Sequence, residues 1–163
     1  TNLKISKIDY YSASKISSEF LIKSYQNYFD ITNLRIFFPY GANQKGNMLI
    51  PSLIKKVKNN KKILIYNNLR FNPIYIDDLI KCIEKSFNLK GLNEINIAGN
   101  EKTSIEKMIK IISKVLNKKP FFKNLNKYSD NFISENLKAK KKLHIPKISI
   151  LHGVSNLIKK NNN

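Results

Sequence analysis

Cysteine occurs once in 163 residues, at Cys82, so the chain has no internal disulfide framework and no thiolate cluster for a metal. Cys82 falls in an apolar helical pattern and reads as a small buried hydrophobe, which suits a reducing, cytoplasmic setting. Histidine is nearly as scarce. His144 and His152 stand apart from each other and from any carboxylate cluster, so structural or surface roles are expected rather than metal ligation. The five glycines, Gly41, Gly46, Gly91, Gly99 and Gly153, form no G-x-G-x-x-G turn. A pyrophosphate site needs such a turn at a helix N-terminus, so no phosphate cradle can be placed. Long apolar runs are absent too: no stretch approaches the roughly 18 residues that span a bilayer, and no membrane partner is expected. The chain starts at Thr1 rather than Met, which leaves an upstream targeting segment open.

Arginine is the next scarcity. Of 30 basic residues only Arg35 and Arg70 are Arg, the rest being Lys, and 11 acidic residues leave a formal charge of +19. Such a charge could serve nucleic acid by releasing counterions from phosphates. Phosphate and base recognition, however, favours the planar, bidentate guanidinium. The lysines are also spread through every segment beside abundant Ile and Asn, as AT-rich coding would produce. A solvated, biased surface with no nucleic-acid partner is the expectation. A basic nucleic-acid-binding module is the alternative, and it predicts steeply salt-dependent affinity.

What the chain does contain is an alternation of helical and strand patterns. Ile16, Phe20, Leu21, Tyr25 and Tyr28 recur at helical spacing over 14–29, and the β-branched and aromatic run "ITNLRIFF" follows, stopped by Pro39 and Gly41. Leu49, Ile50, Leu53, Ile54 and Val57 mark a helix over 48–59, with Pro51 tolerable only near its first turn, and "KILIY" is the next strand. Asp77 and Asp78 suit a helix start, where the dipole favours carboxylates; that helix runs through Leu79, Ile80, Ile83 and Phe87, and 94–98 is strand again. Thr103 and Glu106 have capping-box spacing before a helix with Met108, Ile109, Ile112 and Leu116, and two shorter helices over 135–143 and 150–159 close the chain. The fold class is therefore α/β with a largely parallel sheet, whose ligands would sit at the carboxyl ends of strands.

One pair of residues suggests chemistry. In "DYYSASKISSE" Tyr11 precedes Lys15 by four positions, so on a helix the phenol and the ammonium face the same way. A nearby cation favours phenolate, and such a tyrosine can exchange a proton with an alcohol or carbonyl. Eight tyrosines among so many lysines would yield about one such pair by accident, so an amphipathic surface helix is an equal reading of the pair alone.

Its context separates the two readings. "YSASKISSE" resembles the Tyr-x-x-Ser-Lys-x-x-x-Glu helix of the NAD-dependent epimerase/dehydratase family, the extended short-chain dehydrogenases/reductases. "LRIFFPYGANQ", "MLIPSLIKKVKNNKKILIY", "RFNPIYIDDLIKCI" and "SENLKAKKKLHIPKISILHGVSNLIKK" are similar to later segments of that family, in the same order along the chain. The resemblance implies the C-terminal part of a Rossmann-like domain plus a small substrate-binding lobe, with the dinucleotide-binding half and its glycine-rich loop upstream. Residues 1–163 would then be a single fragment. Its catalytic helix and following strand would lie in 1–45, and mostly the substrate lobe, with the remaining sheet elements, in 46–163.

Carried over by position, the resemblance makes Tyr11 the proton-transferring phenol and Lys15 its partner, which also holds the nicotinamide ribose of NAD or NADP. Phe37, Phe38 and Pro39 correspond to the strand end against the nicotinamide, though sugar-nucleotide members often carry Asn where Phe38 stands. Arg70 matches an arginine that approaches substrate phosphate, with Asn72 and Tyr75 beside it on the substrate side. The implied activity is an NAD(P)-dependent epimerase, dehydratase or reductase acting on a nucleotide sugar, with a homodimer as one form of the full-length protein. The isolated chain is expected to be inactive and to lack appreciable dinucleotide affinity, and a family remnant without catalysis is a further alternative.

Overall fold

The computed structural model describes residues 9–67, 69–128 and 130–160. Residues 1–8 of the expected catalytic segment lie outside the described residues. The order is α1 (Tyr10–Lys23), β1 (Ile31–Ile36), β2 (Pro39–Tyr40), α2 (Leu49–Lys58), β3 (Ile63–Asn67), β4 (Arg70–Phe71), β5 (Ile74–Tyr75), α3 (Ile76–Ser86), β6 (Leu92–Ile97), β7 (Thr103–Ser104), α4 (Ile105–Val115), β8 (Phe122–Tyr128), α5 (Leu137–Lys142) and α6 (Ile150–Lys160). Three ladders, β1 with β6, β2 with β5 and β3 with β8, are parallel, and the short pair β4 with β7 is antiparallel. Each parallel partner lies far along the chain with helices between, as a parallel connection requires. The expected α/β architecture with mostly parallel pairing is what forms.

Helical periodicity locates the core. Ile50, Leu53, Ile54 and Val57 of α2 meet Met108, Ile109 and Ile112 of α4 and Val154, Leu157 and Ile158 of α6, with Ile63 and Ile65 of β3 beneath. Pro51 occupies the first turn of α2, where its missing N–H costs no intrahelical bond. A second cluster joins Leu79 and Cys82 of α3 to Ile95 and Ile97 of β6 and to Ala139 and Leu143. Cys82 is fully buried there, its thiol facing the His144 carbonyl, and burial pushes that thiol's pKa up. Among the described residues no helix is long and apolar enough to cross a membrane.

Several expectations need correction. The first helix runs over Tyr10–Lys23 rather than 14–29, and Phe20, Leu21, Tyr25 and Tyr28, whose spacing marked it, are exposed. The reason is its docking side: Ser12, Ile16, Glu19, Ile22 and Lys23, recurring at helical spacing, are half-buried, so the helix turns inward a side on which three of five residues are polar. The cap of α4 is Ser104, whose hydroxyl accepts the Lys107 N–H at 3.1 Å; Thr103 is buried in β7, and Glu106 pairs with Lys110 instead. Strand β8 was not expected, because "FKNLNKY" is mostly polar. It forms as the partner of β3, whose Ile63 and Ile65 face the core while Leu64 and Tyr66 are exposed.

His144 has a structural role and meets a single carboxylate. Its Nε2 lies 2.9 Å from Oδ1 of Asp78, and the other Asp78 oxygen accepts the N–H groups of Lys147 and Ile148 at 2.9 and 2.8 Å. Asp78 is almost wholly buried, so a residue expected to serve only the α3 dipole also ties the segment before α6 onto α3. Among the described residues no group of three or more His, Cys, Asp or Glu could hold a metal.

Candidate active site

Helix α1 begins at Asp9, whose carboxylate accepts the Ser12 N–H at 2.7 Å and so satisfies one of the free N–H groups of the first turn. That backbone hydrogen bond also holds the Asp9 carboxyl below its usual range. Tyr11 and Lys15 then fall one turn apart, with the Lys15 ammonium 5.5 Å from the centroid of the Tyr11 ring. Both line an open groove of about 700 Å³ between α1 and the strands, together with Glu19, Arg35, Phe37 and Asn96. Phe37 directly follows β1 and Asn96 stands near the end of β6, so the groove lies toward the carboxyl ends of two parallel strands, where such sheets take ligands.

The sequence-derived residues divide into three places. Tyr11, Lys15 and Phe37 share the groove. Phe38 and Pro39 line a separate small recess with Tyr40, Met48 and Leu49. Phe38 holds a left-handed backbone (φ 44°), a region where Asn is common and Phe rare, and its ring packs on Phe71 and Phe132 with centroids 5.0 and 6.0 Å away. The main chain at this strand end is partly committed, since the Phe37 N–H donates to Ile97 O and Phe38 O accepts from Ile74 N.

Arg70 is exposed on β4, its backbone N–H donating to Oδ1 of Asn131 at 3.1 Å. Asn72 and Tyr75 do not reach the groove. The Asn72 amide donates to the carbonyls of Gly99 and Ser134, and its oxygen accepts the Ser134 N–H, all inside the protein. The contact is so close that a Cβ on Gly99 would sit 2.0 Å from the Pro73 carbonyl oxygen, so glycine is required there. Tyr75 is buried edge-to-face against Tyr40, and burial pushes its phenol pKa up.

What sequence reasoning missed is how α1 is held. Arg35 of β1 donates through Nε to both Glu19 oxygens, at 2.8 and 3.1 Å, and through Nη2 to Oε2. The same Nη2 reaches Glu94 of β6 at 3.3 Å, and Lys23 closes the network on Glu94 at 3.1 Å. The signal was present: Glu19 ends the quoted motif, and Arg35 is one of two arginines in the chain.

Hydrogen bonds from Arg35 hold the Glu19 carboxyl at about 2, below the ordinary 4.5, outweighing a smaller upward push from burial. Because the folded value is depressed, Glu19 contributes its stabilisation above about pH 4.5, and that contribution fades as pH falls toward 2. Carbon-detected NMR titration should place the Glu19 midpoint near 2 and, in Arg35→Met, return it toward 4.5. An unshifted midpoint in the wild type would contradict the pairing.

A sequence profile of the NAD dependent epimerase/dehydratase family matches residues 1–98. An uncharacterized UDP-glucose epimerase of Bacillus subtilis (strain 168) is 28% identical over 167 residues, covering 96% of this chain and 53% of that protein. A UDP-glucuronate 4-epimerase of Thermodesulfobacterium geofontis (strain OPF15) is 29% identical, covering 91% and 49% respectively. The crystal structure of UDP-glucuronic acid 4-epimerase from Bacillus cereus in complex with NAD superposes with a TM-score of 0.82 at 26% identity, covering 94% of this chain and 50% of that one. The chain thus spans about half the length of the relatives it matches. It belongs to the NAD dependent epimerase/dehydratase family.

Proposed function

We propose that this chain supplies the proton-transfer and substrate side of an NAD- or NADP-dependent epimerase, dehydratase or reductase acting on a nucleotide sugar. The observation that carries the reading is the groove in which Tyr11 and Lys15 meet Phe37 toward the carboxyl ends of β1 and β6. The residues present fit the nicotinamide end of the cofactor. The groove is open, it offers an ammonium for ribose hydroxyls and an apolar ring for the nicotinamide face, and no glycine-rich phosphate turn stands among the described residues. When bound, the nicotinamide supplies the hydride acceptor for oxidation of a carbinol carbon.

The chain's own residues handle the proton. Tyr11 Oη takes it from the substrate hydroxyl as the carbon–hydrogen bond breaks, and returns it when the carbonyl is reduced. Lys15, whose ammonium lies beside the Tyr11 ring, would donate to the ribose hydroxyls of the bound cofactor. Arg70, exposed and planar, suits a substrate phosphate. Asn72 serves by tying the turn after β4 to Gly99 and Ser134, and Tyr75 by packing on Tyr40, rather than by touching the ligand.

Incubating the natural protein with NAD or NADP and a panel of nucleoside diphosphate hexoses should give an epimerised, dehydrated or reduced sugar by NMR. No conversion of any hexose, together with tight, salt-sensitive nucleic-acid binding, would favour the basic-module reading suggested by the +19 charge.

A further inference from the structure

We propose that Glu19 and Arg35 form a positioning clamp that fixes α1 on the sheet, and through it the place of Tyr11 and Lys15 in the groove. The inference rests on the proton-transfer reading of Tyr11. Its starting point is that α1 has no buried residue, so core packing does not lock this helix along its axis. Of the five half-buried residues on its docking side only Ile16 and Ile22 are apolar, and neither is buried, so these partial aliphatic contacts tolerate sliding. Directional bonds must then set the register.

The Arg35 guanidinium provides them. It grips both oxygens of Glu19, reaches Glu94 on the neighbouring strand, and Glu94 in turn holds Lys23 in the last turn of α1. Two anions and two cations thus bridge α1, β1 and β6. Isolated exposed ion pairs position little, but a bidentate arginine within a network is the arrangement that does. Lys15 lies four residues before Glu19 and Tyr11 eight, so all three project from nearly the same side of one helix. At a rise of about 1.5 Å per residue, a slip of one residue along the helix would displace Tyr11 by about that distance. Misplacements of that size cost about 100-fold in rate. The fork matters as much as the charge, because lysine offers a point charge and no second parallel bond.

In the natural protein, Glu19→Gln, Arg35→Met and Arg35→Lys should each lower kcat by about 10- to 100-fold while KM for the sugar nucleotide changes by less than about threefold. The lysine variant should fare no better than the methionine one. Hydrogen exchange of the amides in α1 should quicken in all three while α4 is unchanged, a readout that needs no turnover. Tyr11→Phe measured in parallel separates the two claims. If Tyr11→Phe is inactive but the Glu19 and Arg35 variants keep wild-type kcat and α1 exchange, the clamp is overturned and the proton-transfer reading stands. If Arg35→Lys alone keeps both, charge suffices and the fork argument fails. If Tyr11→Phe remains active, there is no catalytic pair to position, and the proposal falls with the reading beneath it.

Discussion

Replacing Tyr11 by Phe in the natural protein should cut turnover of its sugar-nucleotide substrate by about 10²- to 10⁴-fold, the range that one positioned acid/base group contributes. Cofactor affinity should change by less than about twofold, because the ring is kept and only the hydroxyl is lost. That split between turnover and binding follows from location. Tyr11 is well exposed on α1, beside Lys15 and facing an open groove, with no core contact that its hydroxyl could support. A loss of folding is therefore not expected, and circular dichroism of the variant should match the wild type. A Phe variant with near wild-type turnover would remove the proton-transfer role.

The largest stability effect is expected at Asp78, far from that groove. Asp78→Ala deletes the acceptor for two backbone N–H groups and for His144 Nε2, in a site from which water is almost excluded. Leaving buried donors unpaired after losing a buried carboxylate costs about 3–5 kcal/mol. For a domain of this size that lowers Tm by on the order of 10 °C in thermal unfolding. Asp78→Asn keeps one acceptor oxygen and should fall between. An alanine variant melting within about 2 °C of the wild type would show that the 144–148 segment is held by packing alone.

Elements whose apolar faces are buried inside this chain were legible in its sequence. The periods of α2, α3 and α4 placed Leu53, Leu79 and Ile109 inward, and those residues are core. Helix α1 misled for a physical reason. Phe20 and Leu21 have helical spacing, but the sheet meets the side carrying Ser12, Ile16, Glu19, Ile22 and Lys23, where charge pairing joins the half-burial of two isoleucines. Strand β8 was hidden because four of its six described side chains, those of Lys123, Asn124, Asn126 and Lys127, are exposed, and polar residues suffice there.

The candidate site was legible only through motif order. Tyr11, Lys15 and Phe37 do meet, whereas Asn72 looked like a ligand contact and proves to be an internal tie between the β4–β5 turn, Gly99 and Ser134. Nothing in a one-dimensional spacing distinguishes an amide that reaches a ligand from one that satisfies two carbonyls 27 and 62 residues away. The Asp78–His144 pair, 66 residues apart, was invisible for the same reason.

The most direct test of the proton-transfer account uses a nucleoside diphosphate hexose carrying deuterium on the carbinol carbon, compared with its protium form in the natural protein and in Tyr11→Phe. Slower turnover of the deuterated substrate by the wild type, and loss of turnover of both forms in the Phe variant, is the predicted result. Equal rates in wild type and Tyr11→Phe for either substrate would contradict it.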